Sequence, residues 1–290
     1  MANLKVIKKR IGSVKNTKKI TKAMKMVSAA KLRRAQQAVV SARPFTHKIE
    51  DVVRDLSARL SGKERPPYLR NKEKVREVRI YVYSSSRGLC GAFNSGLLRH
   101  TENFIRGLQD KKIRYQLCLI GKKANEYFKA RKYAIHRVHQ EWADSMTFEI
   151  AKSIAEESVH NFISDEIDEC YFIYNRFASA ISQVPTTEKL LPVFTGDNTA
   201  AEPYGVDYLY EPGKQEILDE LLPRYLASKI HMYHKESLAS ELGARMTAMD
   251  NASRNATDMI GKLTLSYNRA RQAAITAELL DIVNGSESLK

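Results

Sequence analysis

The sequence lacks any apolar run near the ~20 residues that a membrane-spanning helix needs. Its mean hydropathy is −0.43, so a transmembrane protein is excluded. Cysteine is scarce: Cys90, Cys118 and Cys170 are three in 290 residues and stand far apart. That rules out a disulfide framework or a C-x-x-C knuckle and fits a reducing compartment. The first ten residues, Met1 to Arg10, contain no apolar signal core, which argues against secretion. Acidic residues are absent until Glu50, and aromatic residues until Phe45.

What is present is positive charge, unevenly placed. The chain has 48 Lys and Arg against 33 Asp and Glu, a net charge of +15. Residues 1–75 hold 21 basic and 5 acidic side chains, whereas residues 76–290 hold 27 and 28. The protein is therefore near neutral apart from a basic N-terminal arm. Such an arm seeks an acidic partner: nucleic acid, anionic lipid or an acidic protein surface. With 43% apolar and 28% charged residues, the chain has a globular composition and enough length for one or two domains.

Residues 3–60 have a helical pattern. Apolar residues fall at Leu4, Ile7, Ile11 and Val14, then Ile20, Met24 and Val27, then Ala35, Ala38, Ala42, Phe45, Ile49, Val52 and Leu56. Steps of three and four are the seam of a coiled coil. The step from Val14 to Ile20 breaks the heptad as a stammer would. Pro44 is expected to kink or divide the helix, which stops before Gly62. The far end mirrors this pattern. After Pro223 there is no proline, and a second seam runs through Leu238, Leu242, Met249, Ala252, Ala256, Met259, Leu263, Ser266, Ala270, Ala273, Ala277 and Leu280. A helix over 224–283 would be about 90 Å long.

Between the two, the period changes. Strands are expected at Val78–Tyr83, Tyr115–Ile120, Ala134–Val138, Glu169–Tyr174 and Lys189–Phe194, with helices at about 95–110, 122–131 and 147–163. This alternation implies an α/β fold with a small, mostly parallel, Rossmann-like sheet. The expected organisation is an N-terminal coiled-coil helix (1–60), a linker (61–75), an α/β foot domain (76–210) and a C-terminal coiled-coil helix (211–290). A chain that leaves on one long helix and returns on another makes an antiparallel coiled coil, with the α/β domain inserted between its strands.

Catalytic and cofactor patterns are missing. No G-x-G-x-x-G follows a strand, and there is no G-x-x-x-x-G-K-[ST]. Gly88-Leu-Cys-Gly91 is a glycine-rich turn. His136-x-x-His139 and His231-x-x-His234 have helix-compatible spacing but no third metal ligand. Cys90 has no His–Asp partner in the pattern and suits a buried small residue. The expectation is a non-enzymatic chain with no catalytic residue, no cofactor and no metal.

Several stretches carry a specific resemblance. They are Arg10-Ile-Gly-Ser-Val-Lys-Asn-Thr-Lys-Lys-Ile-Thr-Lys-Ala-Met-Lys-Met-Val-Ser-Ala-Ala-Lys-Leu32, Ser85-Ser-Arg-Gly-Leu-Cys-Gly-Ala-Phe-Asn94, Tyr208-Leu-Tyr-Glu-Pro212, Glu241 to Ala256, and Tyr267 to Val283. Together they resemble the family of gamma subunits of F-type ATP synthases, in order and over essentially the whole chain. The resemblance implies a central rotor shaft. The terminal helices would turn inside a sleeve of three alpha and three beta subunits. The α/β domain would face the epsilon subunit and the ring of c subunits, and catalysis would belong to beta.

The same resemblance implies roles for individual residues. Met24 falls on the shaft position facing a beta-subunit loop, and Arg271 and Gln272 on the pair that touches a loop of one beta subunit. Glu278 and Asp281 lie in that helix segment. Tyr208 and Glu211 fall in the motif facing the c ring and epsilon. The chain departs from the family pattern at Ser86, where Asp is frequent, at Leu242, where a polar residue is common, and at its charged end, Gly285 to Lys290. The expected location is peripheral, on the cytoplasmic face of a bacterial inner membrane, within the complex. The alternative is a basic coiled-coil protein that binds nucleic acid. Against it stand the lack of aromatics in the arm and the apolar seam that needs a helical mate.

Overall fold

The computed structural model describes residues 2–59, 66–139, 142–193 and 213–287. In chain order the elements are α1 (Ala2–Ala58), β1 (Glu77–Tyr83), α2 (Phe93–Asp110), β2 (Arg114–Ile120), α3 (Lys122–Ala130), β3 (Ile135–His139), α4 (Trp142–Ser145), α5 (Phe148–Ile163), β4 (Glu169–Phe177), β5 (Gln183–Leu191) and α6 (Lys214–Glu287). They form two compact units. One is Met1–Ala30 with Arg245–Lys290, and the other is Lys31–Ala244.

The two long helices are set by their Ala, Lys, Arg, Leu and Met content and by the near absence of glycine and proline from their interiors. Pro44 does not divide α1, and α6 begins nine residues before Pro223 and runs through it. Each proline forfeits one backbone hydrogen bond, and the packed length on either side keeps the helix continuous.

The larger unit holds a five-stranded sheet in the order β3-β2-β1-β4-β5. β1 is parallel to β2 and β4, and β2 to β3, while β5 returns antiparallel to β4. The alternation of side chains along β1 splits the core in two. Val78, Ile80 and Val82 pack with Leu97, Ile105, Leu117, Leu119 and Phe128 beneath α2 and α3. Tyr81 and Tyr83 face the other way, onto Phe172, Ile154 and Ala155, Val53 and Leu56 of α1, and Leu222 to Tyr233 of α6. On that face Tyr174 stacks on Tyr233 at 4.4 Å, and Phe172 lies 5.5 Å from Tyr233.

The strand β5 is longer than its pattern suggests and starts at Gln183 rather than Lys189. Pro185, Thr186 and Thr187 hid it. An edge strand tolerates proline, because only one side of its backbone needs a partner.

At the end of β1, Ser84 supplies local order. Its Oγ donates to Ile120 O (3.1 Å) and accepts from Ala124 N (2.9 Å), which ties the first turn of α3 to the sheet. Gly121 at that junction has φ +93°, and a Cβ there would stand 2.2 Å from Ser84 O, so only glycine fits.

Candidate functional site

In the smaller unit, α1 and α6 pair as an antiparallel coiled coil. Lys25 Nζ lies 2.6 Å from Asp250 Oδ1, which sets the register. On α1 the covered positions are Leu4, Ile7, Ile11, Val14, Lys18, Thr21, Met24, Lys25, Ser28 and Ala29. The heptad is therefore unbroken from Leu4 to Ser28, and the expected stammer is absent. Ile20 and Val27, expected in the seam, are 60% and 56% exposed, whereas Thr21 and Ser28 are 7% and 3% exposed. The flanking apolar residues fix the helix phase, and small hydroxyl side chains are accepted where that phase puts them. Thr21 Oγ1 donates to Lys18 O at 3.1 Å and so needs no partner across the seam.

The seam on α6 also departs from its apolar pattern. From Met249 onward the covered residues are Met249, Asp250, Ala252, Ser253, Ala256, Ile260, Leu263, Tyr267, Ala270 and Ala274. Met259, Ser266 and Ala273 are exposed, each one residue before its covered neighbour. Both phases carry apolar residues, and only the mate decides between them.

Counting equal steps from the Lys25–Asp250 pair places Leu4 level with Arg271. Past Ala274, the described side chains of α6 are exposed through Asn284. Ile275, Leu279, Leu280, Ile282 and Val283 are 47–68% exposed, so Leu280, expected in the seam, is not covered.

The residues singled out by sequence sort accordingly. Met24 is half-buried in the seam, beside Lys25. Arg271, Gln272 and Glu278 are exposed on α6, and Arg271 and Glu278, seven residues apart, share a face. Helix α6 includes position 281, but the side chain of Asp281 lies outside the described residues, as do Tyr208 and Glu211. Sequence reasoning passed over the exposed Ile275 and Ile282 on the Arg271 face; their spacing of four and seven from Arg271 and Ile275 was the available signal.

The α1 part of this unit, residues 1–30, carries nine Lys and Arg and no Asp or Glu. Most of those charges flank the seam, as exposed Lys8, Lys15 and Lys22 show, while Lys18 and Lys25 are partly covered within it.

The larger unit offers no catalytic arrangement among its described residues. His136 and His139 lie on β3, not on a helix, and an odd spacing on a strand turns them to opposite faces. His231 and His234 do lie on α6, with ring centroids 6.1 Å apart, but His234 is committed to Tyr83 at 2.5 Å. The Tyr83 hydroxyl donates to Ala143 O (2.8 Å), so His234 Nδ1 carries the hydrogen and donates to Tyr83. Burial holds His234 down at a pKa of about 4. Among the described residues, no three His, Cys, Asp or Glu could hold a metal. Cys90 is buried, and Asn94 Nδ2 approaches its Sγ at 3.2 Å. Burial pushes the Cys118 and Cys170 thiols up to about 12, which leaves them unreactive.

A family model described as ATP synthase matches residues 3–289. The ATP synthase gamma chain of Geobacter metallireducens is 48% identical over 290 residues, covering 100% of both chains. The chain belongs to the ATP synthase gamma-chain family. The gamma chain of Trichlorobacter lovleyi is 44% identical over 293 residues, and that of Anaeromyxobacter dehalogenans 43% over 291, again with full coverage of both. Among solved structures, the central stalk and c ring of Tetrahymena thermophila mitochondrial ATP synthase gives a TM-score of 0.61 at 25% identity, over 81% of this chain and 99% of that one. A chain of the Euglena gracilis mitochondrial ATP synthase gives 0.66 at 20% identity, over 99% and 95%, and shares the fold.

In this gamma-chain family member, the α6 end and the lysines flanking the α1 seam are exposed. The motif Ser85–Asn94 is built as a closed loop. Asn94 Oδ1 accepts from Ser85 N (3.2 Å), and Ser85 Oγ donates to Arg87 O (2.7 Å). Leu89, at φ 62°, is held 63% exposed at the loop's crest.

Proposed function

We propose that the chain is the central-stalk rotor subunit of an F-type ATP synthase, carrying rotation of the c ring to a catalytic hexamer of three alpha and three beta subunits. The observation that carries this reading is full-length similarity to gamma chains at 43–48% identity. The physical account is consistent with it. A two-helix seam gives a stiff shaft whose faces differ. One face is lysine-rich, and another bears Arg271, Gln272 and Glu278. Turning such a shaft presents a different face to each beta subunit, which biases each nucleotide site toward a different conformation. Arg271 supplies a forked donor suited to a carboxylate on a beta loop, and Met24 an adaptable apolar contact. Tyr208 and Glu211, with the α/β domain, are assigned to the epsilon subunit and c ring. Catalysis rests with beta.

Among the described residues no helix is long and apolar enough to cross a membrane, which supports a peripheral subunit. We place it on the cytoplasmic face of a bacterial inner membrane. The full-length similarity to gamma chains leaves the nucleic-acid reading without support.

The test is co-expression with the alpha and beta subunits of the same source, followed by native mass spectrometry and an ATPase assay. One copy bound to three alpha and three beta, with ATPase activity that requires it, is expected. Absence of a complex, together with salt-dependent binding to DNA or RNA, would overturn the reading.

A further inference from the structure

The sheet reverses its winding between β1 and β4. In open α/β sheets, ligands enter the crevice at the carboxyl ends of the strands at that point. Here the crevice is filled from within, by helix α6. Ala244 is buried against Cys90 and Phe93, which close the loop after β1. Ser240 Oγ donates to Asn175 O near the end of β4 (3.1 Å), and Asn175 Nδ2 donates on to Phe93 O (3.2 Å). Gly243 meets the β4–β5 turn: a Cβ on it would stand 3.0 Å from Ala180 O and 3.1 Å from Ala180 Cα.

Residues 240, 243 and 244 form one helix face. They meet the loop after β1, the end of β4 and the β4–β5 turn, and two of the three contacts are with backbone. A flexible side chain can rotate out of the way of a turning helix, whereas these backbone atoms cannot. The turn itself is tied: Ser179 N donates to Ser182 O (3.1 Å), Ser179 Oγ accepts from Ser182 N (3.0 Å), and Ala180 O accepts from Gln183 Nε2 (3.2 Å). Glycine is the weakest helix former after proline, so its place inside a 74-residue helix calls for a cause. Gly261 in the same helix has nothing within 4 Å of the corresponding point.

We propose that Gly243 is a positioning residue for coupling. It lets the α6 backbone seat in the switch-point crevice, and that seat is the joint through which torsion passes between the α/β sheet and the helix. The inference rests on the rotor reading above.

The experiment places Gly243→Ala and Gly243→Leu in the complete ATP synthase in vesicles, with Gly261→Ala and Gly261→Leu as matched controls. ATP hydrolysis, protons pumped per ATP and the yield of assembled complex are measured for each. Pumping per ATP is expected to fall in the order wild type, Gly243→Ala, Gly243→Leu, by about twofold or more for the last, with hydrolysis retained and both Gly261 variants unchanged. If Gly243→Leu does not assemble, Gly243→Ala is read alone. An unchanged ratio per assembled complex in the Gly243 variants, even with lower yield, overturns the proposal, because a merely structural role predicts that result. Equal losses at Gly261 overturn it too. A wild-type complex that neither forms nor couples would instead remove the rotor reading beneath it.

Discussion

Lys25 and Asp250, 225 residues apart in sequence, meet at 2.6 Å across the antiparallel helix pair. The hydrogen bond from Lys25 holds the Asp250 carboxyl below its usual range. A depressed carboxylate stabilises the fold above its unfolded pKa, and that contribution is lost as pH falls through the lower folded value. With 43% and 24% of the two side chains exposed, solvent and salt screen the pair. Asp250→Asn is expected to lower the melting temperature slightly at low ionic strength and neutral pH. The difference should vanish at high salt or in acid, and calorimetry across both series checks it.

His234, beside Tyr83, gains its proton at lower pH than a surface histidine does. The folded pKa of about 4 lies below the ordinary 6.5, chiefly through burial, so the fold holds the ring neutral. Stability is complete above the unfolded value and falls as pH drops from 6.5 toward 4, by about 3 kcal/mol over the window. Urea unfolding at stepped pH should show this slope. His234→Phe should be less stable at neutral pH, through the lost donor to Tyr83, and flatter in that window.

Gly121→Ala puts a methyl group 2.2 Å from the Ser84 carbonyl at a φ of +93°. Something in the backbone must move, and the strain is of order 1–3 kcal/mol or more. Poor soluble expression or a large drop in denaturant midpoint is expected. Gly107→Ala, on α2 with nothing within 4 Å, should be neutral or slightly stabilising.

Arg271→Ala should weaken assembly or coupling with the alpha–beta hexamer by about tenfold, in line with loss of a hydrogen bond to a charged partner. Arg271→Lys should recover little, because an ammonium cannot reproduce the forked contact. Arg271 is exposed in this chain, so its own folding should be unaffected in both variants. Normal ATP-driven proton pumping by Arg271→Ala would remove the assigned role.

The sequence by itself determined the two long helices and an alternation of strands and helices that makes a mostly parallel sheet, whereas the strand order came only from the structure. Each element follows from a local period: three and four for the helices, two for Val78–Tyr83 and its neighbours. The resemblance also singled out Arg271, Gln272 and Glu278, which are exposed on α6. Tertiary structure decided which apolar phase is covered. Ile20 or Thr21 and Phe45 or Thr46 are adjacent choices that hydrophobicity alone resolves wrongly, and between Met259 and Ile260, both apolar, the period of the seam pattern led to the exposed one. A coiled coil keeps one phase along its length, so a mate far away in sequence fixes it. Tertiary structure also decided that Gly243 and Gly121 are not interchangeable with Gly261 and Gly107. All four are the same letter, but only two of them lie against another segment's backbone.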